Sequence, residues 1–191
     1  MLIPMDDNRP TLQQAVVEGR TIRIIDQGKK LLLDYSGAKE FHQGDSWWGL
    51  AVGFRAMQLA AEMLSKEQLW DRKNLLVTSA HPGPGVRDAI EFVTACVERK
   101  NFYLTNECAS QKGCSSQMKY EWQVSDGRVT IEVTLRKDFV PTEFYELCDR
   151  LGTTNEATED QSLFKLYKAE LSEALWAEPL ATLFNTRLKK L

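Results

Sequence analysis

The chain has 191 residues, which suffices for one sizeable hydrophobic core and is short for two. Hydrophobic residues make up 43% and charged residues 27% of the sequence, so a disordered chain is excluded and a folded globular protein is expected. The net charge of -3, without a dense basic block, excludes nucleic acid as an expected partner, and no apolar run approaches the ~18 residues that span a bilayer.

The first predicted elements are peripheral. Residues 11 to 18 predict a short helix, and two apolar, β-prone runs flank Gln27 and Gly28 in the manner of a hairpin. We expect one domain over residues 1 to 191, with residues 1 to 36 as a peripheral segment. The start of the chain lacks a signal-peptide pattern, so a cytoplasmic protein without membrane contact is expected.

A long helix is predicted from Trp47 to Leu64. Its apolar residues recur at three- and four-residue spacing and form one helical face, namely Leu50, Phe54, Met57, Ala60, Ala61 and Leu64. Gly53 is unusual in the interior of a helix, where it costs about 1 kcal/mol relative to alanine unless close packing requires it.

A buried strand at residues 74 to 80, the loop HPGPG and a second helix follow in that order. Periodicity places Val86, Ala89, Ile90, Val93, Cys96 and Val97 on one face of this helix, so Cys96 is expected to point into the core. Pro82 and Pro84 are expected to rigidify the loop, with Gly83 and Gly85 supplying a positive φ. A phosphate-binding fingerprint is absent from this loop.

The clearest hairpin joins residues 118–124 to residues 129–135 through Asp126 and Gly127. Pro141 marks the start of a further helix that ends near Leu151 and Gly152. A last helix is predicted to pack through Leu163, Leu166, Tyr167, Leu171, Ala174 and Leu175 and to end before Pro179. Residues 141 to 191 thus form a C-terminal helical extension, and the whole pattern predicts an α+β fold.

The four cysteines, Cys96, Cys108, Cys114 and Cys148, are too few and too irregularly spaced for a disulfide framework. Free thiols or metal ligands are therefore expected. Five residues separate Cys108 from Cys114, whereas structural zinc knuckles favour two to four. Cys148 lies on an apolar helical face, where a small core residue is the simplest interpretation.

The two histidines, His42 and His81, each precede one of the two central predicted helices. Two helix N-termini often converge on one cleft, where their exposed N–H groups and positive dipole ends attract anions. We hypothesise that both histidines meet in such a cleft; the alternative is two surface loop histidines. Asp45 and Asp88 are expected to cap the helices rather than to act in catalysis, and no catalytic motif is present.

The segments GLAVGFRAMQLAAEML and RDAIEFVTACVERKNF together resemble two motifs of the FmdE family, which is named after a component of formylmethanofuran dehydrogenase. The matching positions are Gly49, Leu50, Gly53, Phe54, Arg55, Ala56, Asp88, Ala89, Thr94, Cys96, Lys100 and Asn101, and the ending LFNTR is also similar. The resemblance implies a mixed β-sheet packed against helices, usually in a homodimer. It further implies a cleft in which His and Cys side chains bind a metal, often zinc.

The sequence departs from the family pattern at the expected ligands. Trp47 and Trp48 stand where the first motif has cysteine and proline, Asp45 replaces a histidine, and Gly85 replaces the cysteine of the second motif. In one interpretation the metal, zinc or another transition metal, is retained by substitute ligands. These are His42, His81 and Cys96, with Asp45 or Cys108 as a further ligand.

In the other interpretation the cleft has lost its metal, and the two tryptophans fill it or stack on an organic ligand. The residues expected to contact a cofactor or ligand are Asp45, Trp47, Trp48, Gly85 and Asp88. The resulting prediction is a metal- or small-ligand-binding protein that handles a metal or cofactor for a redox or one-carbon system. The alternatives are a non-enzymatic interaction protein and an enzyme with Cys96 as nucleophile, the latter disfavoured by an inward-facing thiol.

Overall fold

A computed structural model of the chain describes residues 19–105 and 114–190. The helix predicted at residues 11 to 18 and the position of Cys108 lie outside these residues. Within the described ranges, no helix combines the length and the apolarity needed to cross a bilayer.

The described chain begins with a hairpin of β1 (Thr21–Asp26) and β2 (Lys29–Asp34), as predicted. Gln27 and Gly28 both have positive φ, which suits the tight turn between the strands. Ile22 and Ile24 of this hairpin are buried in the main hydrophobic core. The hairpin is tied to the rest of the fold by the Trp70 indole, whose Nε1 donates to the carbonyl of Arg23 at 2.8 Å.

Three helices follow around the centre of the molecule: α1 (Tyr35–His42), α2 (Trp47–Leu64) and α3 (Pro84–Thr94). The sequence did not predict α1, whereas α2 is confirmed and is buried on nearly all sides. Gly53 is explained by close packing, because a Cβ at this position would lie only 3.0 Å from the Cβ of Ala89 and 3.1 Å from the Cα of Val86. The two helices that carry the family-like motifs therefore lie directly against each other.

The second predicted helix ends earlier than its periodicity indicated. Ala95 adopts a left-handed conformation with φ 55°, and Cys96 follows outside the helix. Cys96 is nevertheless fully buried, as expected, because the turn directs it into the core.

Five strands form a mixed sheet of order β4-β3-β5-β6-β7. Their bounds are β3 (Leu76–Ser79), β4 (Phe102–Leu104), β5 (Glu121–Ser125), β6 (Val129–Leu135) and β7 (Phe184–Lys190). β3 and β4 run parallel and the other pairs are antiparallel. The predicted α+β class and the hairpin at Asp126 and Gly127 are confirmed, whereas β7 was predicted only as a tail.

Three helices complete the described chain: α4 (Thr142–Arg150), α5 (Asp160–Ala177) and α6 (Leu180–Leu183). The predicted packing face of α5 is partly wrong, since Leu163 and Leu166 are 37% and 53% exposed. Phe164 packs there instead, beside the predicted Tyr167, because both rings lie against Phe144 of α4. In this orientation Lys165 and Lys168 of α5 border the same cavity as the first turns of α2 and α3.

Candidate functional site

A cavity of about 400 Å³ lies where the first turns of α2 and α3 face α4 and α5. Its floor is formed by Ser46, Trp48 and Gly49 from α2 and by His81, Gly83, Pro84 and Gly85 from the loop and start of α3. Its walls are formed by Cys114, Tyr120, Phe144, Cys148, Phe164, Lys165 and Lys168, among others. Residues distant in sequence therefore meet around one shared space.

The starts of α2 and α3 touch backbone to backbone. A Cβ on Gly85 would lie 2.7 Å from the backbone nitrogen of Leu50 and would also collide with the carbonyl oxygen of Ser46. The prediction of a positive φ at Gly83 and Gly85 is wrong: Gly83 has φ -63° and Gly85 lies within the first turn of α3. These glycines are required for close approach rather than for a left-handed conformation.

Neither helix start is capped by a side chain within the described residues. Ser46 and Gly83 occupy the N-cap positions without a side-chain hydrogen bond to the helix, and neither first turn contains an acidic residue. The prediction that Asp45 and Asp88 cap these helices is therefore wrong. Residues of both helix starts line the cavity, so the positive ends of both helix dipoles lie at its border.

His81 is only 3% exposed and lines the cavity. Its Nδ1 accepts a hydrogen bond from the backbone N–H of Gly83 at 3.0 Å, so the neutral ring carries its proton on Nε2. Among the described residues, this Nε2 has no hydrogen-bond partner. Burial lowers the pKa of His81 to about 3, so the ring is a neutral N–H donor at physiological pH.

Tyr120 contributes a buried hydroxyl beside the histidine. Its ring centroid lies 4.6 Å from that of His81, and its oxygen accepts a hydrogen bond from Nε1 of Trp48 at 2.8 Å. Burial raises the pKa of Tyr120 well above its usual value, so the phenol keeps its proton. Because the indole occupies one acceptor position, the hydroxyl hydrogen can be directed to a further group.

Lys168 places a cation at the edge of the cavity. Its Nζ donates to the carbonyl oxygen of Asp45 at 3.0 Å and lies 4.7 Å from the ring centroid of Phe164. The carboxylate of Asp45 is 3.8 Å away and 82% exposed, whereas the lysine side chain is only 12% exposed. Solvent therefore screens the carboxylate far more than the ammonium group.

His42 is the last residue of α1 and holds the connection from α1 to α2. Its Nδ1 lies 2.7 Å from Oδ2 of Asp88, and its Nε2 accepts a hydrogen bond from the backbone N–H of Ser46 at 3.1 Å. Since a backbone N–H can only donate, the ring proton must lie on Nδ1 and point to Asp88. Both histidines adjoin the junction of α2 and α3, but of the two it is His81 that lines the cavity.

The cysteines of the described chain fall into two groups. The Sγ of Cys96 donates to the carbonyl oxygen of Leu75 at 3.4 Å, and burial raises the pKa of its thiol. Cys114 and Cys148 line the cavity, and burial raises the pKa of both, that of Cys148 to about 12. All three thiols therefore remain protonated at neutral pH.

The predicted metal ligands do not form a ligand set in this geometry. Both nitrogens of His42 are engaged, His81 has its acceptor nitrogen occupied by Gly83, and Cys96 bonds to Leu75. Over residues 19–105 and 114–190, no three His, Cys, Asp or Glu side chains are grouped so that they could hold a metal ion. The metal remains a prediction that rests on the sequence resemblance.

Only some of the predicted ligand-contacting residues lie at the cavity. Asp45, Trp48 and Gly85 line the cavity, as does His81 from the predicted metal set. Trp47, which is 41% exposed, lies instead along a shallow groove with Tyr35 and Trp176. Asp88 is bound to His42, so its role is to hold the loop between α1 and α2.

The sequence did not predict Tyr120, Cys114, Lys165 and Lys168 as cavity residues, and it assigned Cys148 to the core alone. Two signals were present. Tyr120 alternates with Met118 and Trp122 on the inward side of the hairpin, where a buried phenol needs a partner. Lys168 follows Phe164 by one helical turn, on the face that packs inward.

No protein-family model matches the chain, and no curated protein matches it. The resemblance to the FmdE family therefore rests on the motif residues alone. We infer the function from the chemistry of the cavity.

Proposed function

We propose that the protein binds a small organic molecule in the cavity at the junction of α2 and α3. The observation that carries this proposal is the Nε2–H of His81, a buried donor without an acceptor in the described chain. Leaving such a donor unsatisfied costs about 1–3 kcal/mol, which a bound acceptor would recover. A cavity of about 400 Å³ falls within the range of small-molecule sites.

The lining of the cavity supports binding more than acid–base chemistry. Its aromatic walls, from Trp48, Phe144 and Phe164, offer apolar contact, and a few polar groups can orient a ligand. The pKa of His81 is lowered and that of Tyr120 raised, so neither changes protonation near neutral pH. Because His81 and Tyr120 keep their protonation states, they are suited to recognise one protonation form of a ligand.

The resemblance to the FmdE family supports the same location. The two motif segments pack together through Gly49 and Gly53 of α2 against Val86 of α3, and their first turns border the cavity. We propose a divergent member of that family, cytoplasmic and homodimeric, whose cleft takes an organic ligand in place of a metal. A role in handling a cofactor for a redox or one-carbon system belongs to this proposal.

A fragment screen by ligand-observed NMR tests the proposal. Gln161 is exposed and borders the cavity, so Gln161→Trp should fill its mouth without disturbing the core. Glu170→Trp, on an exposed part of the same helix, is the matched control. We expect millimolar fragments that bind the parent protein and the control variant but not Gln161→Trp.

The proposal fails if no fragment, whatever its charge, binds the parent protein more tightly than it binds Gln161→Trp. Elemental analysis distinguishes the organic-ligand proposal from the metal interpretation. Under the organic-ligand proposal, protein purified without added metal should carry less than about a tenth of an equivalent of zinc, iron or nickel. Stoichiometric metal that is lost in His81→Ala would replace the organic-ligand proposal with the metal one.

A second candidate, a non-enzymatic interaction protein, is favoured only by the exposure of Trp47. Its neighbour Trp48 is buried and hydrogen-bonded, so the two indoles do not share a surface. Binding of a protein partner would shield Trp47 from acrylamide, and Trp47→Ser would remove that protection. If quenching is unchanged by every co-purifying protein, this candidate fails.

A further inference from the structure

We infer that the ligand is an organic monoanion, with a carboxylate held between the first turns of α2 and α3 and the side chains of His81 and Lys168. This inference rests on the proposed function and names the chemical class of the ligand. It depends on the direction of the hydrogen-bonding groups, the charge around the cavity and the apolar walls.

Two polar side chains of the described cavity lining, His81 and Tyr120, can donate hydrogen bonds to a ligand. His81 offers Nε2–H because Gly83 occupies its Nδ1, and Tyr120 offers its hydroxyl hydrogen because Trp48 occupies an acceptor position. A ligand group that meets both must accept hydrogen bonds. Carboxylate oxygens accept several at once and bind more strongly than neutral carbonyl oxygens.

The two helix starts add donors of the same kind. Within the described chain, Ser46 and Gly83 leave their helices without side-chain caps, and neither first turn carries an acidic residue that would repel an anion. Gly85 brings the two starts into backbone contact, so the positive ends of both helix dipoles lie close together at the border of the cavity. The unpartnered Nε2 of His81 is an independent indication that this position receives a ligand atom.

The charge around the cavity limits the ligand to about one negative charge. Among the described residues that line it, Lys165 and Lys168 carry a positive charge and Asp45 carries a negative charge. The net contribution of these three side chains is a single positive charge, and His81 remains neutral because burial lowers its pKa. A monoanion is balanced by this set, whereas a dianionic phosphate ester is not.

The apolar lining of the cavity favours an anion that carries an apolar organic group. Trp48, Phe144 and Phe164 present aromatic surface, and the buried, protonated Cys148 thiol behaves as a small apolar group. A bare inorganic anion would leave this surface without contact. An aromatic carboxylate combines the two requirements.

Calorimetric titration with benzoate, benzamide and phenyl phosphate tests the inference on the intact chain. Benzamide has nearly the shape of benzoate but no charge, and phenyl phosphate is the dianionic counterpart. We expect benzoate to bind about tenfold more tightly than either probe. Lys168→Gln should remove most of this preference while binding of benzamide persists, which shows that the variant is folded. Lys39→Gln, an exposed lysine outside the cavity, is the matched control.

Equal binding of benzoate and benzamide, or equal weakening of both by Lys168→Gln, would overturn the anion inference and leave the small-molecule proposal intact. Tighter binding of phenyl phosphate would overturn the monoanion assignment. If benzoate, acetate and indole-3-acetate all fail to bind while neutral fragments occupy the cavity, the inference is also wrong. Failure of every fragment of any charge would instead overturn the proposed function itself.

Discussion

The backbone N–H of Gly83 donates to Nδ1 of His81 at 3.0 Å, and this one bond decides which ring nitrogen carries the proton. The imidazole would otherwise be able to present a lone pair to the cavity. With Nδ1 occupied, it presents an N–H group. A histidine that the sequence assigned to metal coordination thereby becomes a donor for an acceptor ligand.

We predict that Gly83→Ala disturbs this tautomer. The new Cβ would lie 2.6 Å from Cε1 of His81, so the ring must shift and the bond to the backbone weakens. Nitrogen NMR of the imidazole should show the single Nε2–H tautomer in the parent protein and a mixture in the variant. Arg87→Ala, on the exposed side of α3, should leave the spectrum unchanged.

We predict that His81 makes the free energy of unfolding fall on acidification. Its pKa is about 3 in the folded chain and near 6.5 in an unfolded one, so the unfolded chain binds more protons between these values. Stability is therefore lost as the pH falls below about 6.5, with a loss on the order of 2 kcal/mol at pH 5.

Urea unfolding at pH 7 and pH 5 measures this loss, and His81→Phe removes the titrating group. The variant should lose less stability than the parent over the same interval. Other groups titrate in both proteins, whereas His81 titrates only in the parent. An equal loss in the two proteins would show that His81 is not buried in the neutral form.

We predict that Gly85→Ala is strongly destabilising. Its methyl group would meet the backbone of Ser46 and Leu50, which cannot move without separating α2 from α3. A loss of about 2 kcal/mol or more in the free energy of unfolding is expected, because overpacking at the backbone has no flexible side chain to yield. Chemical denaturation compares this variant with Arg87→Ala, and similar stabilities would contradict the packing described.

We predict that Cys96 and Cys148 react slowly with iodoacetamide at pH 7. Burial raises the pKa of both thiols, so the reactive thiolate is scarce, and Cys96 is in addition fully buried. Peptide mass spectrometry should find alkylation at least about 100-fold slower in the native protein than in urea. Rapid native modification of Cys96 would revive its assignment as a nucleophile.

Elements that have a local sequence pattern could be predicted from the sequence. The spacing of Leu50, Phe54 and Met57 predicted α2, and the alternation around Asp126 and Gly127 predicted the long hairpin, because each pattern follows from the repeat of one element. Gly53 already indicated close packing. The α+β class followed from these elements together.

The site could not be predicted as fully, because its walls depend on which faces of distant elements meet. Leu163 and Leu166 fit the apolar periodicity of α5, but stacking of Phe164 on Phe144 rotates the helix and brings Lys168 to the cavity. The tautomers of His42 and His81 depend on backbone donors from Ser46 and Gly83. Residue type alone does not distinguish a histidine ligand from a histidine donor.

The hydrogen bond from Trp48 to Tyr120 makes the fluorescence of Trp48 responsive to ligand binding in the cavity. The chain has five tryptophans, and Trp48 both lines the cavity and donates its indole N–H to a phenol that a ligand would also contact. A change in that hydrogen bond alters the polarity around the indole and therefore its emission wavelength. Occupancy of the site can thus be followed in the unlabelled protein, with Trp48→Phe identifying the part of the signal that comes from the cavity.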